Sequence, residues 1–192
     1  VPPTIFDSAF AADVDGYPGV TELPESAICP GSRSVTMLVG MTVIQKPEYR
    51  RFPADPHNHK PNSRYSLVLD PVRPDGRYVK DLVVNFEHLA SDEVIPVHAH
   101  TNEEVLIIDE GEAEAFYDGE WRPVRPGSVI LVPPGVAHGF RNRSGSGVRL
   151  HAVFAGHVVG TRLLERSPAP GTEDDPLPPP YIIDFRNPDG LP

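Results

Sequence analysis

Residues 98–124 read HAHTNEEVLIIDEGEAEAFYDGEWRPV, and the rhythm of that stretch decides the fold. From Glu104 to Asp109 and from Glu112 to Tyr117, aliphatic and aromatic residues come in short runs bounded by turn formers. That is the pattern of strands. Asp109-Glu110-Gly111 joins the two runs, and Asp118-Gly119 lies between Tyr117 and Trp121. Asp and Gly tolerate the positive φ that tight hairpin turns demand. Successive antiparallel hairpins are therefore expected over residues 104–124.

Outward from this segment the same punctuation recurs. Further strands are expected at Ser34–Gln45, Tyr65–Leu69, Tyr78–His88, Ser128–Val132 and Val148–Phe154. Helical periodicity is weak throughout, so the fold is expected to be all-β. A closed or double-sheet barrel would cover the edges that so many short strands create. The absence of an internal repeat points to one barrel. The tail from Ser167 to Pro192 contains PAPGTEDDPLPPP, which cannot sustain a helix or a central strand. It reads as an extended arm in which YIIDF (181–185) can dock as a short edge strand, on its own barrel or on a second subunit. The expected organisation is an N-terminal arm over residues 1–33, a barrel over 34–166 and a C-terminal arm over 167–192.

The bulk properties narrow the function. A chain of 192 residues is long enough for one well-buried core and short for two domains. The formal charge of −10 disfavours phosphate backbones and anionic lipid surfaces, so neither nucleic acid nor membrane is an expected partner. Cys29 is the single cysteine, which rules out an intrachain disulfide and a thiolate-rich metal site. It reads as a packed or idle thiol rather than a nucleophile. Without a basic and apolar leader or an 18-residue apolar run, a cytoplasmic location is expected unless a presequence preceded Val1.

His98, His100 and Glu104 share even parity, and in an extended chain side chains of one parity face one side. Glu103 should point away, provided that Thr101-Asn102 does not bulge. The turn Pro133-Pro134-Gly135 is placed to deliver a fourth donor, His138. Three imidazoles and one carboxylate suit a borderline transition ion, and neither calcium nor a thiolate-type structural zinc. Leu106 and Ile108 share Glu104's parity and, with Ile130, Val132 and Phe140, are candidates for an apolar pocket beside it. A second His-x-His, His57 and His59, has no carboxylate four residues on and reads as a solvated loop.

His98, His100, Glu104 and Gly111 stand at the spacing of the first conserved motif of the cupin superfamily, and Gly127, Pro133, Gly135, His138 and Asn142 at that of the second. From Asp92 to Phe154 the chain thus resembles cupins. One departure is Asp92, where the family pattern has a glycine in a turn. The resemblance implies a cupin-type β jelly-roll barrel with a divalent transition ion inside it, iron or manganese by expectation, with nickel, copper or zinc as alternatives. It further implies a small-molecule substrate. The tail carrying YIIDF and the exposed edges of a jelly roll point to a homodimer, and cupins commonly pair through such edges. Single-barrel cupins with three His and one Glu include dioxygenases, so the expected activity is a metal-dependent dioxygenase of a small aromatic or enolisable compound. Glu104 would then be both ligand and catalytic proton acceptor. The alternatives are a metal-dependent isomerase or lyase, or a non-catalytic binding protein. Glu87, His88 and His151 could serve as a further acid or base only if their strand faces turn inward.

Overall fold

The computed structural model describes residues 47–69 and 82–186. The expected N-terminal arm, the strand Ser34–Gln45, Cys29 and the first residues of Tyr78–His88 lie outside the described residues. The described residues form twelve strands. In chain order these are β1 (Arg50–Arg51), β2 (Arg64–Leu69), β3 (Leu82–Leu89), β4 (Val94–His100), β5 (Glu104–Glu110) and β6 (Ala113–Tyr117), then β7 (Glu120–Val124), β8 (Val129–Val132), β9 (His138–Arg141), β10 (Val148–Ala155), β11 (Val158–Leu163) and β12 (Tyr181–Asp184).

They build two antiparallel sheets, ordered β1-β2-β3-β10-β5-β8 and β12-β11-β4-β9-β6-β7. The fold is an all-β jelly roll. Its core forms because the strands alternate. Val148, Leu150, Ala152 and Phe154 of β10 are buried while Arg149 and Ala155 are exposed, and β5 buries Glu104, Leu106 and Ile108 in the same way. Against them pack Phe140, Ala115 and Val159 from the second sheet, so one apolar cluster joins both layers.

The turn chemistry is as the residues dictate. Asp118 and Gly119 have φ of 53° and 81°, and the hairpin they close pairs Tyr117 with Glu120. Gly111 has φ +82°, and a Cβ there would stand 2.7 Å from the carbonyl oxygen of Gly147. Only glycine fits both constraints. Asp92, the departure from the family's glycine, also takes a positive φ of 61°, which a short polar side chain tolerates better than most. Its N–H donates to the Asn142 carbonyl (3.0 Å).

The two-residue β1 was not anticipated, nor were three of the longer strands: β4, β9 and β11. Pro96 interrupts β4, β9 is only four residues long, and β11 carries a glycine. β12 lies at the anticipated edge position and pairs with β11 of its own chain, Gly160 opposite Ile182. The loop around His57 and His59 is tied down rather than solvated. Arg166 Nε donates to His57 Nδ1 (2.9 Å), and Ser167 N donates to the His57 carbonyl (2.9 Å). The tail strapped across this segment supplies the partner, which local composition could not reveal.

Candidate metal centre

The four expected donors come from both sheets. His98 and His100 lie on β4, and β9 places His138 directly opposite His98. Glu104 opens β5 in the other sheet. Between β4 and β5 the chain crosses from one sheet to the other through Thr101–Glu103, and the crossing is held at several points. Thr101 N donates to the Gly160 carbonyl (2.9 Å), Gly160 N to Thr101 Oγ1 (2.8 Å), and Asn102 Nδ2 to the Ala155 carbonyl (2.6 Å). Shared parity with His98 is therefore not what aims Glu104 inward. It faces the interior through the alternation of β5 itself, while Glu103 is exposed. The Pro133-Pro134 turn is anchored where Gly135 N donates to the His100 carbonyl (2.8 Å).

All four side chains are buried, and one donor atom from each lies within 4.8 Å of the others. His98 Nε2 is 3.0 Å from His100 Nε2. Glu104 Oε2 is 2.8 Å from His138 Nε2 and 3.7 Å from His100 Nε2. The far side of each ring is also held. His98 Nδ1 donates to the Pro96 carbonyl (2.7 Å) and His138 Nδ1 to the Val136 carbonyl (2.9 Å). A carbonyl can only accept, so in the neutral ring Nε2 carries the lone pair. His100 Nδ1 pairs with Thr161 Oγ1 (3.0 Å), a partner on β11 that no local signal announced.

Burial, reinforced by the neighbouring His138 and His100, holds His98 well below the usual imidazole range. Burial likewise brings His100 down to about 4, against the opposing pull of Glu104. Both rings are therefore neutral near pH 7, as ligands must be. The arrangement points lone pairs of His98, His138 and Glu104 at one small volume. Glu104 Oε2 and His138 Nε2 are buried without a hydrogen-bond partner, an unfavourable arrangement for the protein alone. A cation at their centre would relieve it. The residues fit a divalent transition ion.

These donors form one wall of a cavity of about 170 Å³. Leu106 and Phe140 line it. Ile108, Ile130 and Val132, expected in the same lining, do not reach the cavity and only pack in the core cluster that Leu106 and Phe140 share. Ile108 lies four residues along β5 from Glu104, roughly 13 Å at the rise of a strand, and packs deep in the core. Ile130 and Val132 pair with Leu106 and Glu104 from the edge strand β8, outside the cavity. Of the three residues whose strand faces sequence left open, Glu87 lines the cavity. His151 lies on the outer face of the sheet, stacked on Phe86 at 4.1 Å between ring centroids. Its register partner Phe86 and the neighbouring His88 share the outward parity of β3. Lys60 and Asn85, which sequence reasoning missed, line the cavity too. Asn85 and Glu87 stand at inward positions between Val83 and Leu89, and polar residues at two apolar positions of one strand are the signal that could have found them.

The family model described as a cupin domain matches residues 85–154. No curated protein matches the chain. Among solved structures, the chain is similar to a sugar phosphate isomerase of the cupin superfamily from Silicibacter pomeroyi, with 18% identity and a TM-score of 0.52 over 61% of this chain and 76% of that one. It is also similar to the polyketide cyclase RemF from Streptomyces resistomycificus, with 19% identity and a TM-score of 0.52 over 80% of this chain and 95% of that one. At such identities the likeness is one of fold. The match to the cupin domain covers residues 85–154, the strands that carry the four donors, and the chain shares the fold of these cupin-type structures.

Proposed function

We propose that the protein is a metal-dependent dioxygenase acting on a small enolisable or phenolic compound. The observation that carries this reading is the convergence of four preoriented donors on one wall of an otherwise largely apolar cavity of about 170 Å³. His98, His100, Glu104 and His138 would hold the ion. When bound, a redox-active ion would polarise a substrate oxygen and pass electrons to dioxygen, whereas zinc would supply only the polarisation. Leu106, Phe140, Leu150 and Phe154 on the cavity wall favour flat apolar substrates over sugars, whose hydroxyls they would leave unpaired. Glu104 orients its carboxylate toward the site and is the candidate proton acceptor.

The test is oxygen uptake with a panel of phenols and diketones, comparing protein reconstituted with iron, manganese or zinc. Uptake is expected with iron or manganese and none with zinc. Turnover that persists under zinc or without oxygen would favour a second reading, an isomerase or lyase in which the ion acts only as a Lewis acid. That reading is favoured by Glu87, a further carboxyl group on the cavity wall, which also argues against a binding protein with no chemistry.

The chain is further proposed to act as a homodimer. Leu131 and Val129 on the outer face of β8 are 72% and 58% exposed, beside the outward Val105 and Ile107 of β5. A second copy would cover this apolar stripe. Sedimentation is expected to give about twice the chain mass of 21.0 kDa, and a 21.0 kDa species at micromolar concentration would reject it.

A further inference from the structure

The inward face of β3 carries an acid that the four donors do not use. Val83, Asn85 and Leu89 are buried and Glu87 lies between them on the same face, where Ala152 and Leu150 of β10 stand opposite Asn85 and Glu87. Two apolar residues would have served the core at no desolvation cost. Asn85 is 6% exposed. Its Nδ2 donates to Glu87 Oε1 (2.6 Å), while its Oδ1 is buried with no partner. Glu87 makes no other hydrogen bond among the described residues. Both side chains line the same cavity as the four donors, as does Lys60.

We propose that Glu87, positioned by Asn85, takes up and returns a substrate proton inside the cavity, and that the substrate is an enolisable carbonyl compound with a hydrogen-bond donor for Asn85 Oδ1. This rests on the metal-site reading above and holds whether or not dioxygen is consumed. In the step, the Glu87 carboxylate removes a proton from the carbon beside the carbonyl. The C–H electron pair becomes the C=C bond of the enolate, whose charge rests on the carbonyl oxygen. Glu87 then returns the proton to the same carbon, which restores the carbonyl, and no electrons enter or leave.

The electrostatics suit this use. Burial pushes the Glu87 carboxyl up to about 7, with the charge of Glu104 adding to the rise and Lys60 and the Asn85 hydrogen bond opposing it. Near neutral pH both protonation states are populated, the condition under which one group serves as acid and base. Burial also brings Lys60 down to about 8, leaving its ammonium charged at pH 7 and facing the cavity.

Hydroxyacetone, a small α-hydroxy ketone, is the probe. Zinc-loaded protein in deuterium oxide is expected to speed deuterium incorporation beside the carbonyl, followed by NMR. Glu87→Gln, nearly isosteric, is expected to slow this at least about 100-fold while zinc content and hydroxyacetone binding stay unchanged. Asn85→Ala removes the hydrogen bond that lowers the Glu87 pKa, so the pH midpoint of exchange should rise, with Lys60 and Glu104 in place. A purely structural Asn85 would leave that midpoint unmoved. Metal-free protein offers a readout independent of turnover: an infrared carboxylic-acid band that titrates near pH 7 and is missing from Glu87→Gln. Zinc-replete wild type that exchanges no deuterium, or Glu87→Gln that exchanges as fast as wild type, overturns the proposal. Protein that binds no zinc overturns the metal reading instead, and elemental analysis tells the two apart.

Discussion

Replacing His98, His100 or His138 by alanine is expected to lower metal affinity by more than about 100-fold, because even partners that only orient a ligand typically contribute 10–100-fold. Each change removes one of four donors that the fold holds within 4.8 Å of one another. Thr161→Val tests the orienting effect alone. It removes the hydroxyl that meets His100 Nδ1 at 3.0 Å and should weaken binding by about 10-fold. Glu104→Gln should reduce occupancy less than the histidine changes and abolish most activity. In metal-free protein the same change is expected to raise stability by about 1 kcal/mol, since the new amide can donate to His138 Nε2, now 2.8 Å from a carboxylate oxygen and without a partner. Metal content after dialysis against a chelator, with thermal unfolding of the metal-free proteins, measures both effects. Full metal content in all three alanine variants, with loss in Glu103→Ala, would assign the ligands differently.

Asn142→Ala is expected to cost about 3 kcal/mol or more, the largest effect on stability of any single polar change away from the metal centre. The side chain is 0% exposed and uses both ends. Nδ2 donates to the carbonyls of Leu89 (3.1 Å) and Ser146, and Oδ1 accepts from Ser144 N (2.9 Å) and Ser144 Oγ (2.8 Å). Its backbone adds to the knot, because Asn142 N donates to the Glu93 carbonyl (3.0 Å). Alanine would leave the Leu89 carbonyl short of a partner between β3 and β9, and each buried group left unsatisfied costs roughly 1–3 kcal/mol. Asn142→Asp should be no milder, since it keeps the acceptor and loses both donors. Urea unfolding measures the change, and a loss below about 1 kcal/mol would mean that water or local relaxation replaces these bonds. Metal affinity should change little in this variant, which separates the role of Asn142 from that of His138.

The strand content, the turn positions and the identity of the four donors were legible because they rest on short-range chemistry. Asp118-Gly119 demands a tight turn wherever it stands. Gly111 demands a positive φ. Alternation along β5 and β10 separates core from surface within a few residues. The clustering of these four side chains was legible for a related reason: imidazoles and a carboxylate at this spacing have few other uses in an apolar setting.

Tertiary structure decided the rest. Parity named Glu104 through a continuous strand that does not exist, since the chain changes sheets at Thr101–Glu103; its place in the site depends on pairing with Phe154 of β10. Ile108 and Val132 have the right parity for a pocket, yet depth along the barrel and position at its edge put them in the core. Thr161 reaches His100 from 61 residues away, and Asn85 and Glu87 face the cavity because β3 pairs with β10, more than 60 residues further along the chain. Short-range chemistry in the sequence specified short strands and four side chains that could hold a metal ion. Which faces turn inward, and which buried polar groups line the cavity, was settled only by pairings between distant strands, because a side chain's direction is local but its surroundings are not.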